Sequence, residues 1–389
     1  MPFSYAVLGA GRQGTAAAYD MGRWGDASRV LVADQHLHIA QEAAERVNGL
    51  LGRTVAHPVA IDARKQGDLV GLLDDVDAVL SAVPYHLNLG ITEAALRART
   101  HMCDLGGNTD IAREQHRLDA DARAAGVRII PNCGQVPGMG TSLMVYAMEL
   151  LDEPLDVYMW DGGIPQEPRP PFNYLLTFNI AGLTNEYAEP AVFLREWRIT
   201  EVEPMTELES VEFPAPIGIL EAFVASGGTD TMPWTFEGRL RTLQNLTLRH
   251  PGNLAQLRAF YDLGLWDLKP IRVGTTEVVP RDVFHALFEP KVTFPGDRDW
   301  VIVRVEAMGK KAGRDAVARV EVIDEFDEET GFTAMERCTG WSAAIVAAMM
   351  ARGQTRVGAG GVEIQVPAGP FVHELRQRGI AVTECLTQS

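Results

Sequence analysis

Three glycines near the amino terminus have the spacing of a phosphate-binding loop. Gly9, Gly11 and Gly14 form the pattern G-x-G-x-x-G directly after a short apolar run. Such a loop requires a buried strand before the glycines, a helix that begins at the last one, and an acidic residue about twenty positions later. The flanking residues predict this strand and helix, and Asp34 follows a second apolar run. The stretch predicts a dinucleotide site, with an unrelated strand-turn-helix as the alternative.

Each glycine of such a loop has its own role. Gly9 permits the tight turn, Gly11 lets the backbone approach the pyrophosphate, and Gly14 lets the helix pack closely on the strand. Arg12 and Gln13 lie between the last two glycines, just before the predicted helix. Because the amides and dipole of a helix N-terminus attract anions, we expect all five residues to contact the cofactor.

Residues after the next predicted strands indicate which dinucleotide binds. Asp34 can bond both hydroxyls of a ribose and would repel a 2′-phosphate, so we expect NAD rather than NADP. Asp62 follows the third predicted strand, where it can meet the adenine amine. Ala82, Val83 and Pro84 end the fourth strand with small residues that can lie against the nicotinamide half.

Two side chains on the predicted nicotinamide side are candidates for proton transfer. Asp104 ends the fifth predicted strand, just before Gly106 and Gly107, and can attract a substrate ammonium or act as a base. Its alternative role is structural, as an acceptor for the glycine amides. His86 lies two residues after Pro84, and histidine is a frequent general acid or base, although a lone loop histidine is more often only a surface or packing residue.

Further candidates lie in the second half of the chain. Arg249 precedes a Pro-Gly turn and can hold a carboxylate with both arms of its guanidinium group, a plain structural ion pair being the alternative. Asn173, Tyr174, Asn185 and Tyr187 are candidates for lining the same pocket.

The order of the predicted elements indicates an α/β protein. Residues 1–134 alternate strands and helices, which predicts a Rossmann domain with a doubly wound parallel sheet of about six strands. Residues 135–333 show β-type alternation with connections rich in Pro and Gly, which predicts a second, α+β domain with a mixed or antiparallel sheet. Its predicted strands include 174–180, and 317–323 is predicted to be the last. The chain becomes helical again from 334.

Composition excludes several classes of protein. The 389 residues are 46% hydrophobic and 22% charged, as in a globular protein, and the net charge of −17 argues against nucleic acid or an anionic membrane as a partner. The absence of a signal peptide and of a membrane-spanning apolar run predicts a cytoplasmic protein. Four scattered cysteines predict reduced thiols, and no metal-binding motif is present, so we expect no metal.

Seven stretches together resemble the saccharopine dehydrogenase superfamily, and within it the L-lysine 6-dehydrogenases. They occur in the family's order between residues 7 and 284: VLGAGRQG, CDLGGNTD, CGQVPGMGTSL, WDGGIPQEPRPPFNY, LEAFVASGGTDTMP, LRHPGN and VPRDVF. The resemblance implies that helices in 334–389 return to the Rossmann domain. It leaves 135–333 for substrate binding and for assembly into a homodimer or a higher even oligomer.

The resemblance also implies a reaction. Family members move a hydride between a nicotinamide and a carbon that bears nitrogen, giving an imine that water hydrolyses. For L-lysine, oxidation at the 6-amino group with NAD gives ammonia, NADH and 2-aminoadipate 6-semialdehyde, which cyclises to piperideine-6-carboxylate. His250, Asn253 and Gln135 depart from the residues usual in lysine dehydrogenases.

Two other functions remain open from the sequence. A saccharopine- or carboxynorspermidine-type dehydrogenase would bind a larger substrate with an additional carboxylate. It would need a second basic clamp, which the sequence does not identify. A noncatalytic NAD-binding sensor would keep the glycines and Asp34 and show no turnover with any amine.

Overall fold

Residues 2–389, which the computed structural model describes, contain eighteen β-strands and fifteen α-helices. The strands in chain order are β1 (Phe3–Leu8), β2 (Ala27–Asp34), β3 (Ala56–Ala60), β4 (Ala78–Ser81), β5 (His101–Asp104), β6 (Arg128–Ile130), β7 (Glu153–Pro165), β8 (Ala191–Arg195), β9 (Arg198–Val202), β10 (Glu209–Glu212), β11 (Ile219–Val224), β12 (Thr242–Arg249), β13 (Ile271–Val273), β14 (Thr276–Val278), β15 (Asp299–Lys311), β16 (Arg314–Glu325), β17 (Gly358–Ala359) and β18 (Val382–Gln388).

The α-helices are α1 (Arg12–Trp24), α2 (Leu37–Leu51), α3 (Gln66–Leu73), α4 (Asn88–Ala98), α5 (Thr109–His116), α6 (Asp119–Ala125), α7 (Met139–Glu149), α8 (Ile180–Glu186), α9 (Met232–Phe236), α10 (Asn253–Asp262), α11 (Pro280–Val292), α12 (Ala334–Glu336), α13 (Ser342–Ala351), α14 (Val362–Gln365) and α15 (Ala368–Gln377). A 3₁₀ turn spans Tyr85–Leu87, and a π-helical turn at Arg337–Trp341 joins α12 to α13.

Seven parallel strands form the first sheet, in the order β17-β6-β5-β4-β1-β2-β3. The central strand β1 is buried from Tyr5 to Leu8, as expected for a parallel strand covered on both faces. Helices α1 and α13 pack on one face, and one apolar core there includes Val7, Leu80 and Ile345. A second core around α3 and α4 covers the other face. The predicted doubly wound parallel sheet is confirmed.

The second sheet has nine strands and is mixed. Its main path runs β10-β11-β12-β7-β15-β16-β18, with β8 and β9 attached beside β12. Only the β12–β7 pair is parallel among the pairs that the structure describes in this sheet. The long β15–β16 hairpin turns through Ala312 and Gly313, which both have positive φ, as a type I′ turn requires. The predicted second, mixed sheet is confirmed.

Two predicted strand assignments are wrong. Residues 174–180 form irregular chain that enters α8, because Tyr174, Leu175, Leu176 and Thr177 are all buried in succession, without the two-faced alternation of a strand. The strand predicted at 317–323 lies in β16 but is not the last of its sheet, because β18 pairs with β16 along its other edge.

The segment after residue 333 contributes to both sheets. Helix α13 packs against α1, β4 and β5, and β17 extends the first sheet beside β6. The last strand, β18, instead joins the second sheet. The division of the chain at 134 and 333 remains our proposal.

Helices of membrane-spanning length and hydropathy do not occur between residues 2 and 389. Cys103, Cys133 and Cys338 are buried, Cys385 is exposed, and all four are free thiols.

Candidate functional site

The glycine loop has the geometry of a phosphate cradle. Helix α1 begins immediately after Gly11, whose missing side chain would meet no atom within 4 Å, so open space lies in front of its backbone. A Cβ at Gly14 would lie 1.9 Å from the carbonyl oxygen of Gly9, and Gly9 itself has φ of +96°. The close packing of helix on strand therefore excludes side chains at both positions. These residues fit a dinucleotide whose pyrophosphate meets the N-terminus of α1.

Asp34 is held rigidly at the end of β2. Its Oδ2 accepts a hydrogen bond from the amide of Ala10 at 3.1 Å, and its Oδ1 accepts one from the amide of His36 at 2.9 Å. Each carboxylate oxygen keeps a lone pair for a further donor. This arrangement places an anion beside the glycine loop, where the ribose of a bound dinucleotide would lie.

The other predicted cofactor residues surround the same edge of the sheet. The amide of Ala82 donates to Leu8 at 2.7 Å, so the Ala82–Pro84 segment lies against the glycine loop. Asp62 follows β3, but its carboxylate is paired with Arg64, and this pairing lowers its pKa to about 2. An adenine amine would have to share Asp62 with this arginine.

Gln13 and Arg12 differ in their surroundings. Both polar atoms of the Gln13 side chain are buried without a hydrogen-bond partner among residues 2–389, an arrangement that a bound molecule or water would satisfy. Arg12 is half exposed and forms an ion pair with Glu336 at 2.9 Å.

A polar cavity lies on one face of the second sheet. The side chains of Asn245, Thr247 and Arg249 alternate along β12 and therefore share a face, and Thr247 pairs with Asp161 of the parallel neighbour β7. The lining residues are Gln135, Val136, Asp161, Gly162, Gly163, Phe178, Glu186, Ala225, Ser226, Gly228, Asn245, Thr247, Arg249 and Met335. Its volume is about 50 Å³. That volume holds little more than water, so the walls of the cavity must move apart before an amino acid can bind there.

Three charged groups dominate this cavity. Arg249 is 4% exposed, and its Nη2 lies 3.4 Å from Oε2 of Glu186. Burial raises the pKa of Asp161 to about 6, although Arg249 acts in the opposite direction. Enclosure by protein likewise raises the pKa of the Glu186 carboxyl to about 7, even though 33% of its side chain is exposed. The cavity carries one more negative than positive group when both carboxyls are ionised.

Several polar atoms of these residues lack protein partners. Nε of Arg249, Oδ1 of Asn245 and the hydroxyl of Tyr187 are buried without a hydrogen bond to any residue of the described chain. Since buried polar groups are normally paired, these atoms indicate a site that binds a polar ligand or ordered water.

The predicted pocket residues divide into two groups. Tyr174 and Tyr187 are buried near Arg249, and its guanidinium group lies 5.5 Å from the centre of the Tyr174 ring. None of the four residues, the two tyrosines included, is itself part of the cavity wall, and the two asparagines lie apart from Arg249. Asn173 lies in a turn with φ of +50°, and Oδ1 of Asn185 accepts a hydrogen bond from Arg281 at 3.1 Å.

Asp104 is fully buried and has several structural partners. Its Oδ1 accepts from the amides of Gly106 and Asn132, and its Oδ2 accepts from Gln115, all at 2.9 Å. Burial raises the pKa of Asp104, and these donors oppose that rise. The contacts support the structural alternative, and Asp104 does not line the polar cavity.

His86 lies on the exposed 3₁₀ turn after β4. Its ring packs edge-on against Tyr85, with the ring centres 6.1 Å apart, and it is not part of the cavity wall. The structure therefore brings Arg249, Tyr174 and Tyr187 together but does not add His86 or Asp104 to that group.

Comparisons with known proteins identify the family. The Saccharopine dehydrogenase NADP binding domain matches residues 5–130, and the Saccharopine dehydrogenase C-terminal domain matches residues 134–380. The chain belongs to the saccharopine dehydrogenase family. The resemblance to the saccharopine dehydrogenase superfamily is thereby confirmed, and a nicotinamide dinucleotide is supported as the cofactor.

Similar sequences and structures agree with this family. The chain is 26% identical over 223 residues to the mitochondrial alpha-aminoadipic semialdehyde synthase of Rattus norvegicus, covering 53% of this chain and 23% of the rat protein. The same enzyme of Bos taurus is 26% identical over 247 residues, covering 59% and 24%. The matched region is therefore about a quarter of the length of these relatives.

A solved structure shows the same fold. Saccharopine dehydrogenase (L-Glu forming) from Saccharomyces cerevisiae superposes with a TM-score of 0.78 at 18% identity, covering 99% of this chain and 100% of the yeast chain. At this identity the likeness concerns the fold alone.

The saccharopine dehydrogenase fold here positions residues that the sequence did not single out. Asp161, Glu186 and Asn245 had no predicted role, although Asp161 is the second residue of the stretch WDGGIPQEPRPPFNY. One sequence pattern could have identified Asn245 as a site residue, because Asn245, Thr247 and Arg249 alternate with leucines. Alternation of this kind normally indicates a solvent-facing side, whereas β12 is buried on both faces.

Proposed function

We propose that this protein oxidises the terminal C–N bond of L-lysine with NAD. The observation that carries the proposal is the polar cavity, in which one buried guanidinium faces two carboxyl groups of raised pKa. Lysine complements this set, because it has one carboxylate and two ammonium groups. Its net positive charge matches a cavity with one more negative than positive group.

The α-amino acid end would be held by Arg249 and Glu186. The guanidinium group can bind the α-carboxylate in a fixed orientation, and its Nε is free for that purpose. Glu186, 3.4 Å from the same guanidinium, can accept the neighbouring α-ammonium. Two adjacent groups of opposite charge therefore match the two adjacent charges of an α-amino acid.

Asp161 would then accept the proton from the terminal ammonium. A base with a pKa of about 6 is ionised at neutral pH and can remove a proton in the reactive geometry. Gln135 lies 3.4 Å from Asp161 and follows β6, so it joins this carboxyl to the first sheet. This link supports Asp161, rather than Glu186, as the carboxyl nearer the cofactor.

The proposed reaction balances as follows. The terminal ammonium would lose one proton to Asp161, and NAD held by the glycine loop and Asp34 would supply the oxidising power for removal of a hydride from C6. The resulting iminium adds water and releases ammonia, leaving the aldehyde at C6. Lysine, NAD⁺ and water thus give the 6-semialdehyde, ammonium, NADH and one proton.

A saccharopine-type substrate has additional carboxylates and would need a second cationic clamp. Arg249 is the one cationic side chain among the described cavity-lining residues. This charge balance favours lysine over the larger substrates, and detectable turnover would distinguish an enzyme from a noncatalytic sensor.

Formation of NADH with a panel of amines tests the proposal. L-Lysine should be the best substrate, whereas cadaverine lacks the carboxylate and 6-aminohexanoate lacks the α-ammonium. The variant Arg249→Ala should lower kcat/KM for lysine by about a hundredfold, or 2 to 3 kcal/mol, and should affect cadaverine little. Glu186→Gln should impair lysine but spare 6-aminohexanoate.

Each variant is expected to spare a different substrate, and this difference is the control. A folding defect would reduce the activities with lysine, cadaverine and 6-aminohexanoate together. Equal losses with every substrate would assign Arg249 and Glu186 to structure. Turnover of saccharopine in preference to lysine would show that the substrate is of the saccharopine type and not lysine. No turnover with any amine would favour the noncatalytic NAD-binding sensor.

A further inference from the structure

The short helix α12 lies between the substrate cavity and the glycine loop. Its first two amides, those of Ala334 and Met335, donate to the buried carboxylate of Asp299 at 2.7 and 2.9 Å. Met335 lines the polar cavity, and the next residue, Glu336, pairs with Arg12 of the glycine loop. Consecutive residues of one anchored turn thus contact both proposed binding sites.

Glu336 is fixed before it meets Arg12. Its Oε2 accepts from the amide of Thr333 at 2.8 Å, and the Thr333 hydroxyl accepts from the amide of Glu336 at 3.1 Å, which together form a capping box. The Glu336 side chain is 5% exposed, whereas that of Arg12 is 47% exposed. The carboxylate is therefore the rigid partner, and the arginine is the partner being held.

The contact uses one edge of the guanidinium group. Nε of Arg12 donates to Oε1 of Glu336 at 2.9 Å, while its two Nη atoms have no hydrogen bond within residues 2–389. Arg12 is the first residue of α1, next to the open space in front of Gly11. A guanidinium group fixed through Nε presents its remaining donors in one plane, which suits a phosphate oxygen.

We propose that Glu336 is a positioning residue for the cofactor: it holds Arg12 so that the free Nη atoms meet the pyrophosphate. The inference rests on dinucleotide binding by the glycine loop and does not depend on lysine as the substrate. Besides capping α12, Glu336 would place a second anion beside the pyrophosphate, which is unfavourable, so a favourable effect on cofactor binding has to come from the orientation that it gives Arg12.

Binding of ADP-ribose and adenosine to the full chain tests this role without turnover. ADP-ribose contains the pyrophosphate and adenosine does not. Glu336→Gln should weaken ADP-ribose binding about fivefold to twentyfold in calorimetry, and adenosine binding, followed by NMR titration, should stay within twofold. Arg12→Ala should weaken ADP-ribose to a similar extent, and the double variant should be no weaker than Arg12→Ala alone.

Other outcomes overturn the proposal. Tighter ADP-ribose binding by Glu336→Gln would mean that Glu336 only neutralises Arg12. Equal weakening of adenosine binding would mean that Glu336 only supports the fold. Additive losses of ADP-ribose affinity in the double variant would mean that Glu336 and Arg12 act independently. If Glu336→Gln does not fold, the variant Arg12→Lys tests the proposal in its place. It keeps the charge but lacks Nε and the planar fork, so native ADP-ribose affinity in this variant would contradict the positioning role.

Discussion

Burial of Asp161 sets the pH at which the proposed reaction can begin. Because its pKa is raised to about 6, the carboxyl is protonated below that pH and cannot accept a proton. We expect protonation of Asp161 to lower kcat/KM for lysine about tenfold per pH unit below 6, in addition to a separate limb from Glu186, whose pKa is about 7. Asp161→Asn should lower kcat by at least about a hundredfold and remove this limb from the profile. A limb near pH 6 that persists in the variant would assign the titration to another group.

Asp34 is the residue that we expect to govern the choice between the two nicotinamide dinucleotides. The matching family domain carries the description NADP binding, whereas a fixed carboxylate at the end of β2 favours two ribose hydroxyls over a 2′-phosphate. We therefore expect the protein to prefer NAD. Asp34→Ala should reduce the ratio of the affinity for NAD to the affinity for NADP by roughly tenfold, or about 1.4 kcal/mol. Titration of both cofactors against native protein and variant measures this, and native use of NADP as efficient as NAD would refute the role.

The glycine loop and the cavity differ in how far the sequence could predict them. Gly9, Gly11 and Gly14 act through local turn geometry, so their spacing, together with the strand, helix and acidic residue predicted around them, was informative. Glu186 and Arg249 are 63 positions apart in the chain, and their 3.4 Å contact depends on how α8 packs beside β12. No local pattern encodes that distance.

At the scale of elements, one buried carboxyl joins the loop after β6 to the segment before α9. Oδ1 of Asp230 accepts from Nδ2 of Asn132 at 2.6 Å, while its Oδ2 is buried without a partner in the described chain. Burial and the negative charge of Glu363 raise the pKa of Asp230 well above its usual value, with a smaller contribution from Asp104.

This raised pKa has a definite sign for stability. The folded state retains a proton that the unfolded chain releases above about pH 4, so the free energy of unfolding falls as pH rises from that point. Asp230→Asn keeps the acceptor for Asn132 and removes the titration. Its Tm at pH 7 should rise by a few degrees, and its stability should vary less between pH 4 and 7.

Asp156→Asn is the matched control for this measurement by calorimetry. Asp156 is also buried, but its two oxygens accept hydrogen bonds from Arg241, at 2.9 and 2.6 Å. This variant should lower Tm. A similar decrease for Asp230→Asn would show that Asp230 is ionised and favourably paired.

The sequence predicted elements best where one pattern dominated. The buried run at β1 and the alternation along β15 and β16 each correspond to observed strands. Residues 174–180 were misassigned because their apolar side chains pack into an aromatic cluster around Phe284 and Phe288, which no local periodicity encodes. Similarly, the two-residue strand β17 is too short to predict, because it exists only through its pairing with β6.

At the scale of the whole molecule, exposed apolar groups indicate where copies would associate. The hairpin β13–β14 pairs with no other strand in residues 2–389, and its Ile271 and Val273 are 52% and 59% exposed. An isolated two-stranded hairpin is only marginally stable in water. We expect this hairpin to be covered in a homodimer or a higher even oligomer.

Light scattering at micromolar concentration measures the assembly. The native protein should have an even multiple of the monomer mass, and Ile271→Glu combined with Val273→Glu should reduce it. Leu50→Glu, on the exposed side of α2, is the control and should leave the mass unchanged. A monomeric native protein would refute the expected assembly, and an unchanged mass in the double variant would place the contact elsewhere.

The late strands β17 and β18 have a consequence for synthesis on the ribosome. Strand β17 forms one edge of the first sheet, and β18 forms one edge of the second. Neither sheet is therefore complete until residues 358–388 have emerged. From the synthesis of β6 until that of β17, the edge of β6 therefore presents unpaired backbone groups to other nascent chains, and β16 does so for the shorter interval before β18. Such long-range pairing is slow to form, and partly folded chains with open edges aggregate. We therefore expect the yield of this protein in a cell to depend on chaperone capacity during translation as well as on the stability of the finished fold.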